Sequence, residues 1–163
     1  MKGIVAYDSV HGNTKQVAEA IAEQIRSDGH QVELVALRDG SVRAVAGDFM
    51  LIGSPTRAGR MTREAEEFLK SLDVGHWKAR PIVTFDTVGP LSKDVEKRNK
   101  WLGMIESGSS NAASRMQELC RERGMSGCTK VVHFAVIGFW GPLAPDALDM
   151  ARDFTRQFMA TMK

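Results

Sequence analysis

The chain has 163 residues, 43% of them hydrophobic and 26% charged, with a formal net charge of +2. That length suits one domain able to bury a full core, spanning residues 1–163, and the composition is that of a globular protein. A charge this close to balance, with no dense Lys/Arg stripe, argues against a nucleic-acid partner, and no apolar run is long enough to cross a membrane.

The first strand is expected over residues 3–8, an apolar run that stops at Asp8. A short polar loop leads into a helix over 13–28, where Val17, Ile21 and Ile25 recur every four residues with Ala18 and Ala22 beside them. Asp28-Gly29-His30 ends that helix, with Gly29 just past its cap. A second strand follows at 31–37, then a polar connection with Asp39-Gly40, then a third strand at 48–53. Residues 61–72 read as a helix with Ala65, Phe68, Leu69 and Leu72 on one face. The fourth strand is expected at 81–86 and the fifth at 130–138, with a helix at 109–124, ended by Gly124, between them. The last helix, 145–162, buries Leu148, Ala151, Phe154, Phe158 and Met162. Strands alternating with helices imply an α/β fold, a parallel sheet covered on both faces.

The stretch 87–108 is irregular. It holds Gly89-Pro90, a charged run from Lys93 to Lys100 that suits a solvated helix, and Trp101-Leu102-Gly103-Met104-Ile105, which suits core, lid or interface. A connection of this length is more often functional than idle.

Two loops carry the chemistry. Ser9-Val10-His11-Gly12-Asn13-Thr14 joins the first strand to its helix, so backbone N–H groups and the positive end of the helix dipole converge where a phosphate dianion fits. The plainer reading is that Asn13 or Thr14 only caps the helix. Gly53-Ser54-Pro55-Thr56-Arg57-Ala58-Gly59-Arg60-Met61 follows the third strand. Its Arg57-Ala58-Gly59-Arg60 segment suits a type II turn, with Gly59 at the position needing positive φ. Arg57 supplies a positive charge, unless it is an ordinary surface arginine.

The first loop resembles the FMN phosphate loop of flavodoxins, with His11 where that family commonly has Thr. The second resembles the flavin-ring loop of flavodoxin-fold proteins, and its Arg-x-Gly-x-Met continuation is similar to NAD(P)H:quinone oxidoreductases of the tryptophan-repressor-binding-protein type. The resemblance implies a flavodoxin-like three-layer sandwich with strand order 2-1-3-4-5, the order that flavodoxins themselves exemplify, and FMN at the switch point beside the first and third strands. It implies that Ser9, Val10, His11, Gly12, Asn13 and Thr14 hold the phosphate. It implies that Pro55, Thr56, Arg57, Ala58 and Gly59 meet the ring, with Arg57 near its N1/C2=O edge and the Ala58 carbonyl accepting the N5–H of the reduced flavin. By position in the fold, Thr87, Val88 and Gly89 form the third wall, and Asp86 is either a contact or a strand-end cap, with no carboxylate or His paired with it in sequence.

The chain departs from the family in lacking its acidic balance and the usual stacking Trp and Tyr in the ring loops. Trp77 and Trp140 read as packing residues, whereas Trp101 suits either packing or a fold over the ring. The four histidines show no metal spacing, and no catalytic residue stands out. Receiver and hydrolase readings fail, because the third strand ends in Gly53-Ser54-Pro55 and no Gly-x-Ser-x-Gly elbow is present. Residues 1–25 lack the basic segment and apolar stretch of a secretory signal, and Cys120 and Cys128 have no CxxC spacing, so a cytoplasmic protein with reduced thiols is expected.

The expected function is an FMN electron carrier working between redox partner proteins, as monomer or homodimer. The alternatives are a small NAD(P)H-dependent FMN quinone reductase and a cofactor-free interaction module of the same fold.

Overall fold

The computed structural model describes residues 1–39 and 45–162. Gly40, part of the expected polar connection, lies outside them. The strands are β1 Lys2–Tyr7, β2 Gln31–Ala36, β3 Phe49–Pro55, β4 Ile82–Val88 and β5 Cys128–Ala135. The helices are α1 Asn13–Ser27, α2 Arg63–Ser71, α3 Val74–Trp77, α4 Val95–Ser107, α5 Ala112–Glu122 and α6 Ala147–Ala160, with a 3-10 turn at Leu37–Asp39. One sheet runs in the order β2-β1-β3-β4-β5, and all four pairings are parallel. This is the doubly wound flavodoxin-like fold expected from the alternation of elements and the two loops.

Parallel strands need crossovers, and the crossovers cover both faces of the sheet. On one face Val5, Leu51, Val83 and Phe134 pack with Val17, Ile21 and Ile25 of α1 and with Ala151 and Phe158 of α6. On the other, Ile4, Met50, Ile52 and Ile82 pack with Phe68 and Leu69 of α2 and with Met116 and Cys120 of α5. Trp77, fully buried, belongs to this second core and donates its indole N–H to the Val45 carbonyl at 3.3 Å. Helices α1 and α5 both end in Schellman motifs. His30 N–H bonds to Ile25 O and Gly29 N–H to Arg26 O in one; Met125 N–H bonds to Cys120 O and Gly124 N–H to Arg121 O in the other.

Four local readings change. Helix α3 is one turn, too short for periodicity to reveal; Asp73 starts it by accepting from Gly75 and His76 N–H. Strand β3 runs to Pro55 and β4 to Val88, because the ladder continues through Pro55↔Thr87 and Thr56 N–H to Thr87 O. Strand β5 begins at Cys128 and ends at Ala135, since Val136 leaves the parallel ladder for an antiparallel bridge with Leu143. The charged run and the Trp101 cluster together make α4, capped by Asp94 accepting from Lys97 N–H. Its residues are mostly solvated, but Arg98 is buried, donating to the Ser92 and Lys93 carbonyls and pairing with Asp146 at 3.5 Å.

Two glycines let aromatic rings lie across neighbouring strands. Gly3 pairs with Phe49 and Gly53 with Phe85. A Cβ on Gly3 would stand 2.4 Å from the Phe49 ring, and one on Gly53 2.1 Å from Phe85. Filling that space overpacks a fully dense core. Gly3→Ala, remote from the loops, is expected to destabilise the protein by about 1–3 kcal/mol, read as a lower urea midpoint with an unchanged m-value.

Candidate functional site

A cleft of about 440 Å³ opens where β1, β3, β4 and β5 all reach their C-terminal ends. Each strand contributes its following loop, because parallel strands deliver those loops to the same edge. Of the residues expected there, Ser9, Val10, His11, Asn13, Thr14, Pro55, Thr56, Arg57, Ala58, Thr87 and Gly89 line the cleft. Gly12, Gly59 and Val88 do not, and Val136, Gly138, Phe139 and Trp140 join it without a signal in the two loop motifs.

The loop after β1 is shaped from within. Ser9 Oγ accepts Gly12 N–H at 3.1 Å and Lys15 N–H at 3.3 Å. Gly12, with φ 93°, is the N-cap residue of α1 and brings no side-chain cap. It therefore turns the chain rather than facing the cleft. Neither Asn13 nor Thr14 caps the helix. Asn13 donates its amide N–H to the Trp140 carbonyl at 3.2 Å, and the buried Thr14 hydroxyl bonds to the Thr87 hydroxyl at 2.8 Å. The backbone N–H groups of Val10, His11, Asn13 and Thr14 have no acceptor among the described residues. Unpaired donors at a helix start are an anion-binding arrangement. Asp8, fully buried beneath this loop, is held by Arg38 through two bonds, Nε to Oδ1 at 3.0 Å and Nη2 to Oδ2 at 2.9 Å. That pairing offsets the Asp8 charge beneath the loop and raises the Arg38 guanidinium above its ordinary range. Burial, reinforced by Glu19 and Asp39, raises the Tyr7 phenol as well.

The loop after β3 is a two-residue hairpin, not a type II turn. Arg57 N–H bonds to Arg60 O at 2.9 Å, and Arg60 N–H to Arg57 O at 3.0 Å. Ala58 has φ 50° and Gly59 φ 77°, and two positive φ values in succession define type I′. Residue type marks only Gly59 as left-handed, which gives the other turn; the paired backbone forces Ala58 there too. Gly59 turns toward α5, where its Cβ position would lie 3.4 Å from Ser110 O, so Arg57 and Ala58 face the cleft instead. The Arg57 side chain is exposed and makes no ion pair among the described residues.

Strand alternation explains Val88. Thr87 faces α1 and the cleft, so Val88 turns the other way and is buried, while its carbonyl continues the ladder to Val136 N–H. Gly89 fits only as glycine, since a Cβ would meet the Val136 carbonyl at 2.4 Å.

The fourth wall is the loop after β5. Val136 bridges Leu143, and Ile137 N–H bonds to Pro142 O at 2.9 Å, closing a tip at 138–141. Gly138 packs so closely on the Gly141 carbonyl that a Cβ would lie 2.3 Å from it. On this pinned tip Phe139 is 83% and Trp140 73% exposed, which corrects the packing role expected of Trp140. The Trp140 and His11 rings lie 5.9 Å apart at a tilt of 46°. The signal in the chain is two adjacent aromatics inside a Gly-Phe-Trp-Gly-Pro turn at a strand end. Trp101 is 52% exposed on α4 and does not line the cleft.

Beneath the hairpin lies a buried network. Asp86, fully buried, accepts from Thr56 Oγ1 at 2.9 Å and Ala113 N–H at 3.1 Å through Oδ2, and from His133 Nδ1 at 2.7 Å through Oδ1. Thr56 Oγ1 in turn accepts Ala112 N–H at 2.9 Å. Asp86 thus has a histidine partner after all, 47 residues along the chain and directly opposite in the β4–β5 register.

Residues 4–137 match the family model described as a flavodoxin domain. The chain belongs to that family. A 105-residue stretch is 29% identical to an uncharacterised protein of Methanocaldococcus jannaschii, covering 59% of this chain and 26% of that one. This flavodoxin-domain chain therefore spans about a quarter of the length of that curated relative. A solved flavodoxin from the domain Archaea superposes with a TM-score of 0.71 at 22% identity, covering 99% of this chain and 98% of the other. Oxidised flavodoxin 1 of Bacillus cereus gives 0.69 at 15% identity, with 98% of each chain covered. At these identities the likeness speaks for the fold.

Left-handed backbone costs a non-glycine residue about 1–2 kcal/mol, while glycine loses roughly 0.5–1 kcal/mol of entropy on folding. Ala58→Gly is therefore expected to raise the thermal midpoint of the ligand-free protein by about 1–3 °C, measured by calorimetry.

Proposed function

We propose that this flavodoxin-domain chain binds FMN in the cleft and carries electrons between redox partner proteins. One observation carries the reading: four backbone N–H groups at the start of α1, without an acceptor among the described residues, open into a cleft of about 440 Å³. That volume lies within the roughly 300–1,000 Å³ of small-molecule and cofactor sites. The amides of Val10, His11, Asn13 and Thr14, with the Ser9 hydroxyl, would hold a phosphate dianion without a lysine or arginine in its bonding shell. Pro55, Thr56, Arg57 and Ala58 on one side and Thr87 and Gly89 on the other would hold the ring. FMN, when bound, supplies the electron chemistry.

The chain's own residues do the rest. The type I′ hairpin presents Arg57 and Ala58 to the cleft. Arg57 brings a positive charge that favours electron-rich states of a ring beside it. The exposed Phe139–Trp140 tip would stand beside the phosphate end, where Trp140 lies against His11 and Asn13. The exposed Arg57, without an ion pair among the described residues, favours a second reading, a small NAD(P)H:quinone reductase.

The first test is the visible spectrum of the purified protein before and after adding FMN and removing the excess. Retained flavin bands support the reading. A colourless protein that retains no FMN overturns it in favour of an interaction module. Adding NADPH alone then separates the two redox readings, because a carrier stays yellow for minutes whereas a reductase bleaches at once. Trp140→Ala is expected to raise the FMN dissociation constant about tenfold, equivalent to roughly 1.4 kcal/mol, in a fluorescence titration.

A further inference from the structure

We propose that Asp86 and His133 form a buried positioning pair that sets the redox potentials of the flavin by holding the Thr56–Arg60 hairpin against the N-terminus of α5. The proposal rests on the FMN reading above.

Asp86 is the joint of four elements. Its carboxylate lies on β4, takes the Thr56 hydroxyl from the end of β3, the Ala113 N–H from α5 and the His133 Nδ1–H from β5. All three partners donate, which suits an acceptor-only carboxylate at the positive end of a helix. Thr56 passes the constraint on, because its oxygen also accepts the Ala112 N–H. Two of the four free N–H groups at the start of α5 are thus satisfied by the strand ends rather than by the helix's own cap, Asn111, which takes Ser114 N–H. The hairpin is held at both ends of its reach: its base through Thr56, and its tip by Gly59 against Ser110, two residues before α5. A shift of α5 or of Asp86 moves the hairpin with it.

His133 fixes the direction of the carboxylate. Its side chain is 6% exposed, and Nε2 is buried with no hydrogen-bond partner among the described residues. Only Nδ1 is engaged, so the proton sits there and points at Oδ1. An imidazole left with one orphan nitrogen contributes little to stability as a core residue. Its one engaged bond is the bond that orients Asp86 toward Thr56.

The pair lies outside the cleft lining, so it acts through Thr56, which lines the cleft. The test uses the full chain loaded with FMN and reads both one-electron midpoint potentials. Thr56→Val and His133→Leu are expected to change their separation by at least the 59 mV that corresponds to a tenfold equilibrium change. Thr56→Ser keeps the hydroxyl and His133→Asn keeps a donor near Nδ1, and both are expected to restore the wild-type separation to within the ~28 mV of a threefold equilibrium change. Independently of flavin, Thr56→Val is expected to speed amide exchange at Ala112 at least tenfold in the ligand-free protein. Faster exchange with unchanged potentials overturns the proposal and leaves the pair a purely structural one. Unchanged exchange overturns it too, by removing the link through Thr56. Failure of the wild type to retain FMN brings down the functional reading itself, an outcome seen before any variant is made.

Discussion

Parallel pairing is the constraint on which the rest of this structure depends. A strand that runs alongside its predecessor in the same direction cannot be reached by a tight turn, so each connection crosses a face of the sheet and each strand presents its C-terminal loop at one edge. Here four such loops meet, after β1, β3, β4 and β5. The connection from β1 goes to β2 on one side while β3 lies on the other, and the crevice opens where those paths diverge. Nothing local to Ser9–Thr14 or to the 56–60 hairpin would bring them together; the common strand direction does.

Hydrogen-bond satisfaction divides that edge into two kinds of surface. Helix α5 begins with its first amides taken by Thr56, Asp86 and Asn111, so it closes the floor beneath the hairpin. Helix α1 begins with amides that have no acceptor among the described residues, so its start is open toward the cleft. The same backbone physics thus yields a sealed joint at one helix start and a row of open N–H donors at the other. The difference lies in which side chains the neighbouring strands deliver: a carboxylate and a hydroxyl under α5, and Thr87, already bonded to Thr14, beside α1.

The aromatic wall follows a different logic. The loops after β3 and β4, without Trp or Tyr, leave the cleft with polar and aliphatic sides, and the large apolar surface comes instead from the loop after β5. That loop has its backbone tied at Val136–Leu143 and closely packed at Gly138–Gly141. Its two aromatic side chains stand exposed at the tip instead of packing into the core.

The features legible in the chain are those whose physics is local. The four-residue recurrence of Val17, Ile21 and Ile25, the Gly29 and Gly124 helix stops, the apolar strands and the polar loop at Ser9–Thr14 all follow from neighbouring residues, and they carry element order and fold class with them. The features that differ from expectation depend on backbone pairing, some of it between near neighbours and some between separate strands. Ala58 is left-handed because Arg57 and Arg60 pair across it; Trp140 is exposed because Val136 leaves the ladder for Leu143; Val88 is buried because β4 extends alongside β5. Asp86 looks solitary in the chain because its histidine stands on another strand. By itself the sequence determined the five strands, most of the helices and the polar loops between them, since those choices turn on periodicity and turn chemistry. Only the tertiary structure decided which side chains face the cleft and which groups pair beneath it, since register and the crossing of chains bring together atoms that no local pattern relates.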